Sequence, residues 1–306
     1  MKSLMLPSTI ACGLLVFFYS SIKVEALISP QLAAQPQFPH VVAVIDKFSR
    51  RTICTGALIS EAAVLTAAHC VTDENGKFLK KHFSIIAGTI DLSTPHVEVP
   101  VAALIVPTAY NGRGQAGVND LYRVANLAVL KLAGRVPKKS VIKPLPISSS
   151  RASIKEKFDK APVAGFGISE ISHHSSRRVV NNDGKLHFAL MEPLSQSACN
   201  LLVLLTEDNS AFCAKIDALS EGSSLCAGDD GTPYVLNSKI VGILTYVPKT
   251  CNGVEMSPIF TRTSAYADFI ENAIKHMYFD GARVGHYVPW YNDYATSGNV
   301  EAIQVP

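Results

Sequence analysis

The cysteine arrangement constrains this chain more than any other feature, because it follows from where the chain is sent. Residues 1–26 read as a secretory signal: Lys2 supplies the positive end, Ile10 to Tyr19 the apolar stretch, and Val24-Glu25-Ala26 a small-residue cleavage site. The stretch is too short to span a bilayer, which takes about 20 residues, and no second hydrophobic span follows. Cleavage makes Leu27 the new N-terminus and removes Cys12, so Cys54, Cys70, Cys199, Cys213, Cys226 and Cys251 remain. An even set in an exported chain implies a framework of three disulfides, with the pairing left open by spacing alone. Metal ligation would instead call for close pairs such as C-x-x-C. None is present, so neither a metal nor another cofactor is expected.

Around that framework the chain reads as β-rich. Val41-Val42-Ala43-Val44-Ile45, Phe83 to Ala87, Ala128 to Leu132 and Lys239 to Tyr246 are aliphatic runs bounded by turn residues, and each predicts a strand. Helical periodicity is confined to two places. Tyr266, Phe269, Ile270 and Ala273 recur at i, i+3, i+4 and i+7, predicting a helix over 264–276 with Ser264 as N-cap; a shorter helix is expected from Ser195 to Leu205. Pro137, Lys138, Lys139, Pro144 and Pro146 mark a connection between about 134 and 150 that divides two β-rich units in series. Residues 277–306 hold Tyr278, Phe279, Tyr287, Trp290, Tyr291 and Tyr294 with little periodicity. They read as a tail that packs back or frays, with a partner-binding surface as the sharper alternative.

A hydrophobic share of 48% excludes disorder. A net charge of +3 without a long Lys/Arg tract excludes an electrostatic nucleic-acid binder. His173-His174 with Arg177-Arg178, and Lys77, Lys80 and Lys81, read as solvated surface.

Six motifs then follow in a fixed order: Gln37-Phe38-Pro39, Cys54-Thr55-Gly56-Ala57-Leu58-Ile59, Leu65-Thr66-Ala67-Ala68-His69-Cys70, Gly165-Phe166-Gly167, Cys226-Ala227-Gly228-Asp229-Asp230-Gly231-Thr232-Pro233 and Phe260-Thr261-Arg262. Together they resemble the chymotrypsin/trypsin-like serine protease family (peptidase S1) over about Leu27 to His276. The resemblance implies an all-β fold of two antiparallel six-stranded β-barrels, at about 27–145 and 146–262, with a C-terminal helix at about 264–276 and a cleft between the barrels. It also implies the pairing Cys54–Cys70, Cys199–Cys213 and Cys226–Cys251.

Catalysis in this family uses a hydroxyl nucleophile, a histidine base and a carboxylate that fixes the histidine's tautomer. His69 stands at the base position. The carboxylate position opens Asn126-Leu127-Ala128-Val129-Leu130-Lys131-Leu132 where the family has D-I-A-L-L-K-L, and the nucleophile's place is taken by Asp230. An amide at 126 cannot stabilise an imidazolium, a loss on the order of 10⁴ in turnover. Absence of the nucleophile costs on the order of 10⁶. Asp230 also sets a negative charge beside the backbone N–H groups of Gly228 and Asp230, the oxyanion-hole positions. Asp229 and Asp230, adjacent on one loop, lack the facing arrangement of an aspartic protease dyad.

At the specificity pocket Ser224 takes the base position and Thr245-Tyr246-Val247 replaces the wall motif S-W-G. Val247, with Pro258 or Ile259, is expected to narrow the opening. Leu27 is expected to insert its amine beside Asp229, although Ser29 and Pro30 replace two glycines of the family pattern.

The resulting expectation is a secreted, extracellular serine protease homologue without catalysis. It would bind extracellular proteins (proteases, their substrates or inhibitors) as cofactor, decoy or competitor in a proteolytic cascade such as immunity or venom. A weakly active or atypical secreted endopeptidase is the alternative, and an adhesion or polyanion-binding protein on the same scaffold a further one. Neither nucleic acid nor a membrane span enters these readings.

Overall fold

The computed structural model describes residues 31–94, 96–113, 123–149, 159–174, 177–203, 210–220, 225–247, 257–286 and 303–305. The signal segment, Leu27, Ser224, Cys251 and the aromatic residues from Tyr287 to Tyr294 lie outside the described residues.

Two antiparallel sheets carry the molecule. In the first, Phe83–Ala87, Val41–Asp46, Thr52–Ser60, Ala63–Thr66 and Ala128–Leu132 pair in that order, and the long strand His96–Pro107 closes the barrel by pairing with both Phe83–Ala87 and Ala128–Leu132. These strands are apolar at nearly every position because both faces are covered. Val64, Leu104 and Leu130 fill the barrel, while their neighbours Leu65, Ile105 and Val129 point outward against Ile240, Ile243 and the C-terminal helix.

The second sheet is built from Ala161–Gly165, His187–Pro193, Ala211–Ile216, Ile259–Arg262, Lys239–Tyr246 and Pro233–Leu236. At its centre Phe212 stacks on Phe260 at 5.1 Å, and Tyr234 meets both edge-on. The two six-stranded sets match the two-barrel expectation. The four strand runs read from the sequence all form at their expected places.

Cys54–Cys70 and Cys199–Cys213 are bonded at 2.03 and 2.05 Å. Cys226 is also disulfide-bonded; its expected partner Cys251 lies outside the described residues. Among the described residues no helix is long and apolar enough to cross a membrane.

One expectation needs correction. The terminal helix runs Ala267–Lys275 and is preceded by a 3-10 turn, Thr263–Tyr266, so Ser264 is not the N-cap; Tyr266 is, without a side-chain capping bond. Tertiary bonds fix this entry instead: Thr263 Oγ1 donates to Ile240 O at 2.7 Å, and the Tyr266 hydroxyl accepts from Ala125 N–H at 3.0 Å. At the other end Lys131 Nζ donates to the carbonyls of Ala273 and Ile274, satisfying acceptors that a helix terminus leaves open.

Of the two expectations for residues 277–306, packing back onto the body holds for the described ones: Ala282–His286 adds a strand to Ala103–Pro107, and Ile303–Val305 pairs with His96–Glu98. Arg283 anchors the first of these strands, donating to Gly76 O and Tyr110 O at 2.7 and 2.6 Å.

Candidate functional site

The first barrel presents His69 and Asn126, and the second barrel presents Asp230. His69 lies in a 3-10 turn, Ala68–Cys70, held to the neighbouring strand by the Cys54–Cys70 disulfide. Asn126 follows Ala125, whose φ of 54° turns the chain sharply before the strand Ala128–Leu132. The Tyr266 hydroxyl holds that turn through Ala125 N–H.

Thr55 positions the third residue across the barrel boundary. Its N–H donates to Asp230 O at 2.9 Å and its hydroxyl donates to Gly228 O at 2.9 Å, while the same hydroxyl accepts from Phe166 N–H at 3.0 Å. Both carbonyls of the former oxyanion loop are thereby fixed.

The orientation of the Asn126 amide follows from two backbone partners. Its Oδ1 accepts from His69 N–H at 3.1 Å and its Nδ2 donates to Thr245 O at 3.3 Å. His69 Nδ1 lies 3.0 Å from this Nδ2 and 3.3 Å from Oδ1, so the shorter of its two contacts is to the amide donor. An imidazole that accepts at Nδ1 carries its proton on Nε2, which is the reverse of what a general base needs. Nε2 in turn faces Asp230 Oδ1 at 3.5 Å. His69 is clamped between an amide donor and a carboxylate, with no hydroxyl at the nucleophile position.

Asp229, beside it, is buried and turned away from His69. Its carboxylate accepts from Gly167 N–H and Cys226 N–H, both at 2.9 Å. A side chain on Gly167 would run into this carboxylate, which explains a glycine there. Burial pushes the Asp229 carboxyl up to about 7, against the two N–H donors. The small cavity at this carboxylate is lined by His187 and Phe188, and Gln31 pairs with Phe188. Leu27 lies outside the described residues.

These environments set a pH dependence. Asp229 titrates higher in the fold than its ordinary 3.8, so its stabilising contribution is complete below 3.8 and is lost as pH rises through about 7. Burial lowers His40 from 6.5 to about 4, so its contribution is lost as pH falls through that interval. The two oppose each other over much the same window. The unmodified protein should therefore show nearly constant denaturation midpoints from pH 6.5 to 5, whereas His40→Gln should gain stability as pH falls from 7 to 5. A flat profile in the variant would mean that a cation, such as the Leu27 amine, keeps Asp229 charged.

At the pocket, Thr245 is buried with its hydroxyl bonded to Ile259 O and Thr261 Oγ1 at 3.3 and 3.2 Å, so its side chain serves the sheet. Tyr246 packs beside the Cys199–Cys213 disulfide, and Val247 packs against the cluster that includes Leu225 and Phe212. Ser224 is outside the described residues. Cys54, His69 and Cys70 are the one group of three potential metal donors among the described residues, but the two sulfurs are bonded to each other and offer no thiolate. The sequence reading missed Thr55 and Tyr266 as positioning residues. The threonine at a family glycine position was a visible departure; the tyrosine looked like helix core.

A family model described as Trypsin matches residues 28–270. Melanization protease 1 of Drosophila melanogaster is 28% identical over 249 residues, covering 72% of this chain and 58% of that protein. Ovochymase of Halocynthia roretzi is 26% identical over 228 residues, covering 71% of this chain and 13% of that protein. The chain thus spans well under two thirds of the length of either relative. Among solved structures neuropsin, described as a serine protease expressed in mouse brain, superposes with a TM-score of 0.63 at 23% identity, over 80% of this chain and 99% of that one. The fold, the ordered motifs and the extent of the match agree: this chain belongs to the trypsin family.

Proposed function

We propose that the protein is a secreted, non-catalytic member of this family that acts by binding other extracellular proteins in a proteolytic cascade, as cofactor, decoy or competitor. The observation that carries the reading is the clamp on His69. Nδ1 has its shorter contact to the Asn126 amide donor, an arrangement that favours the proton on Nε2, and Nε2 faces the carboxylate of Asp230 where a hydroxyl would be required. Disulfides support an oxidising destination. Similarity to melanization protease 1 is consistent with a place in an immune cascade.

The test is chemical. A fluorophosphonate probe should leave the purified protein unlabelled, and chromogenic peptides with Ala, Leu or Arg at P1 should not be cleaved. A labelled serine, or turnover that His69→Ala abolishes, would establish a working endopeptidase instead.

A further inference from the structure

Outside the His69 site, an open groove of about 360 Å³ lies on the first barrel between Ser60-Glu61 and the segment 136–144. Val136 and Ile142, both buried, form its floor, and Pro137 and Pro144 stand in its walls. The walls are fixed. Val136 N–H donates to Glu61 O, Ile142 N–H to Lys139 O, Lys143 N–H to Pro39 O and Leu145 N–H to Leu58 O, at 2.8 to 3.0 Å. Proline locks φ at two further points. With these N–H groups already bonded, the groove offers side-chain contacts and no edge for an added strand.

Its rim is basic. Arg135 and Lys138 lie 3.0 and 3.3 Å from the Glu61 carboxylate and hold it below the usual carboxylate range. Lys139 and Lys143 are exposed on the same segment, and Lys143 lines the groove, so the segment carries four cations while Glu61 is the one carboxylate in the groove lining. An apolar floor under an excess of ammonium groups selects a ligand that carries both kinds of complement. A volume near the lower end for small-ligand sites holds one or two aliphatic side chains and not a large cofactor.

We infer that this groove docks an acidic peptide segment of a partner protein, with an aliphatic side chain seated between Pro137 and Pro144 and flanking carboxylates against Lys139 and Lys143. The inference gives the protein-binding role a surface, and it rests on that role only in taking the partner to be a protein. A bare polyanion would use the rim and leave the apolar floor empty.

Fluorescence anisotropy with a labelled hexapeptide, Glu-Asp-Leu-Ile-Glu-Asp, at physiological salt tests it on the full mature chain. Binding in the range of roughly 10–100 μM is expected, as suits one small contact. Lys139→Glu/Lys143→Glu should weaken it at least about tenfold, while Lys77→Glu/Lys80→Glu, the same charge change elsewhere on the surface, should leave it within about twofold. Equal binding of Gln-Asn-Leu-Ile-Gln-Asn would overturn the role of the rim, and equal binding of Glu-Asp-Gly-Gly-Glu-Asp that of the floor. Equal loss in both double variants would reduce the effect to net charge and overturn the site. A serine labelled by the fluorophosphonate probe would overturn the non-catalytic reading without touching this result, and absence of peptide binding would do the reverse.

Discussion

Neither Asp230→Ser nor Asn126→Asp alone is expected to lift peptide turnover above background, whereas the two together should produce weak cleavage, on the order of 10²-fold above either single variant, on substrates with a small P1 residue. Asp230→Ser supplies a hydroxyl opposite His69 Nε2. The donor end of the Asn126 amide still lies 3.0 Å from Nδ1, an arrangement that favours a proton on Nε2. Asn126→Asp supplies a carboxylate acceptor for Nδ1 but leaves His69 between two carboxylates with no hydroxyl to activate. Only the pair joins a nucleophile to a base able to accept its proton.

The recovery stays small for two reasons visible in the fold. A carboxylate at position 126 would set an oxygen against Thr245 O, which now accepts from the Asn126 amide at 3.3 Å. The pocket wall also keeps Val247. Chromogenic peptides with Ala, Leu and Arg at P1 read the result. An active single variant, or efficient cleavage after Arg, would show that the clamp on His69 is not what silences the site.

The architecture was legible wherever apolar runs were long enough to be buried on both faces. Val41–Asp46 and Lys239–Tyr246 are covered inside and outside their barrels, so their sequence is hydrophobic throughout and needs no tertiary knowledge to read. The strand Ala282–His286 is different. Its residues have little strand preference, and it forms because Ala103–Pro107 offers a partner, Arg283 reaches two loop carbonyls, and Gly285 lets the Phe78 ring approach its backbone. The helix start was misplaced for a related reason. Ser264 has the right chemistry for a cap, but bonds from Thr263 and Tyr266 to distant strands decide where the helix begins. At the site, the departures at 126 and 230 from the family pattern were legible in the sequence. The orientation of the Asn126 amide did not follow from them, because it depends on Thr245 O in the other barrel.

The second large effect falls on the glycine after Asp230. Gly231 has a φ of 87°, its N–H donates to Leu244 O at 2.7 Å, and a side chain there would overlap both Thr55 O and Thr66 Oγ1. Gly231→Ala therefore combines a left-handed backbone, which costs a residue with a Cβ about 1–2 kcal/mol, with a collision against two atoms that cannot retreat. Thr55 O accepts from Thr66 Oγ1 at 2.7 Å within a buried strand pair, so displacing either atom breaks that bond as well. The expected loss is about 4 kcal/mol or more, a fall in Tm of roughly 10 °C for a domain of this size. Adding Thr66→Ala should return no more than about 1 kcal/mol, because it removes one colliding atom together with that atom's hydrogen bond and leaves the Thr55 carbonyl in place. Denaturant titration of the single and double variants measures both numbers. A Gly231→Ala protein within about 1 kcal/mol of the parent would mean that the loop shifts freely. Asp230 would then not be fixed opposite His69, and the proposed non-catalytic reading would lose that support.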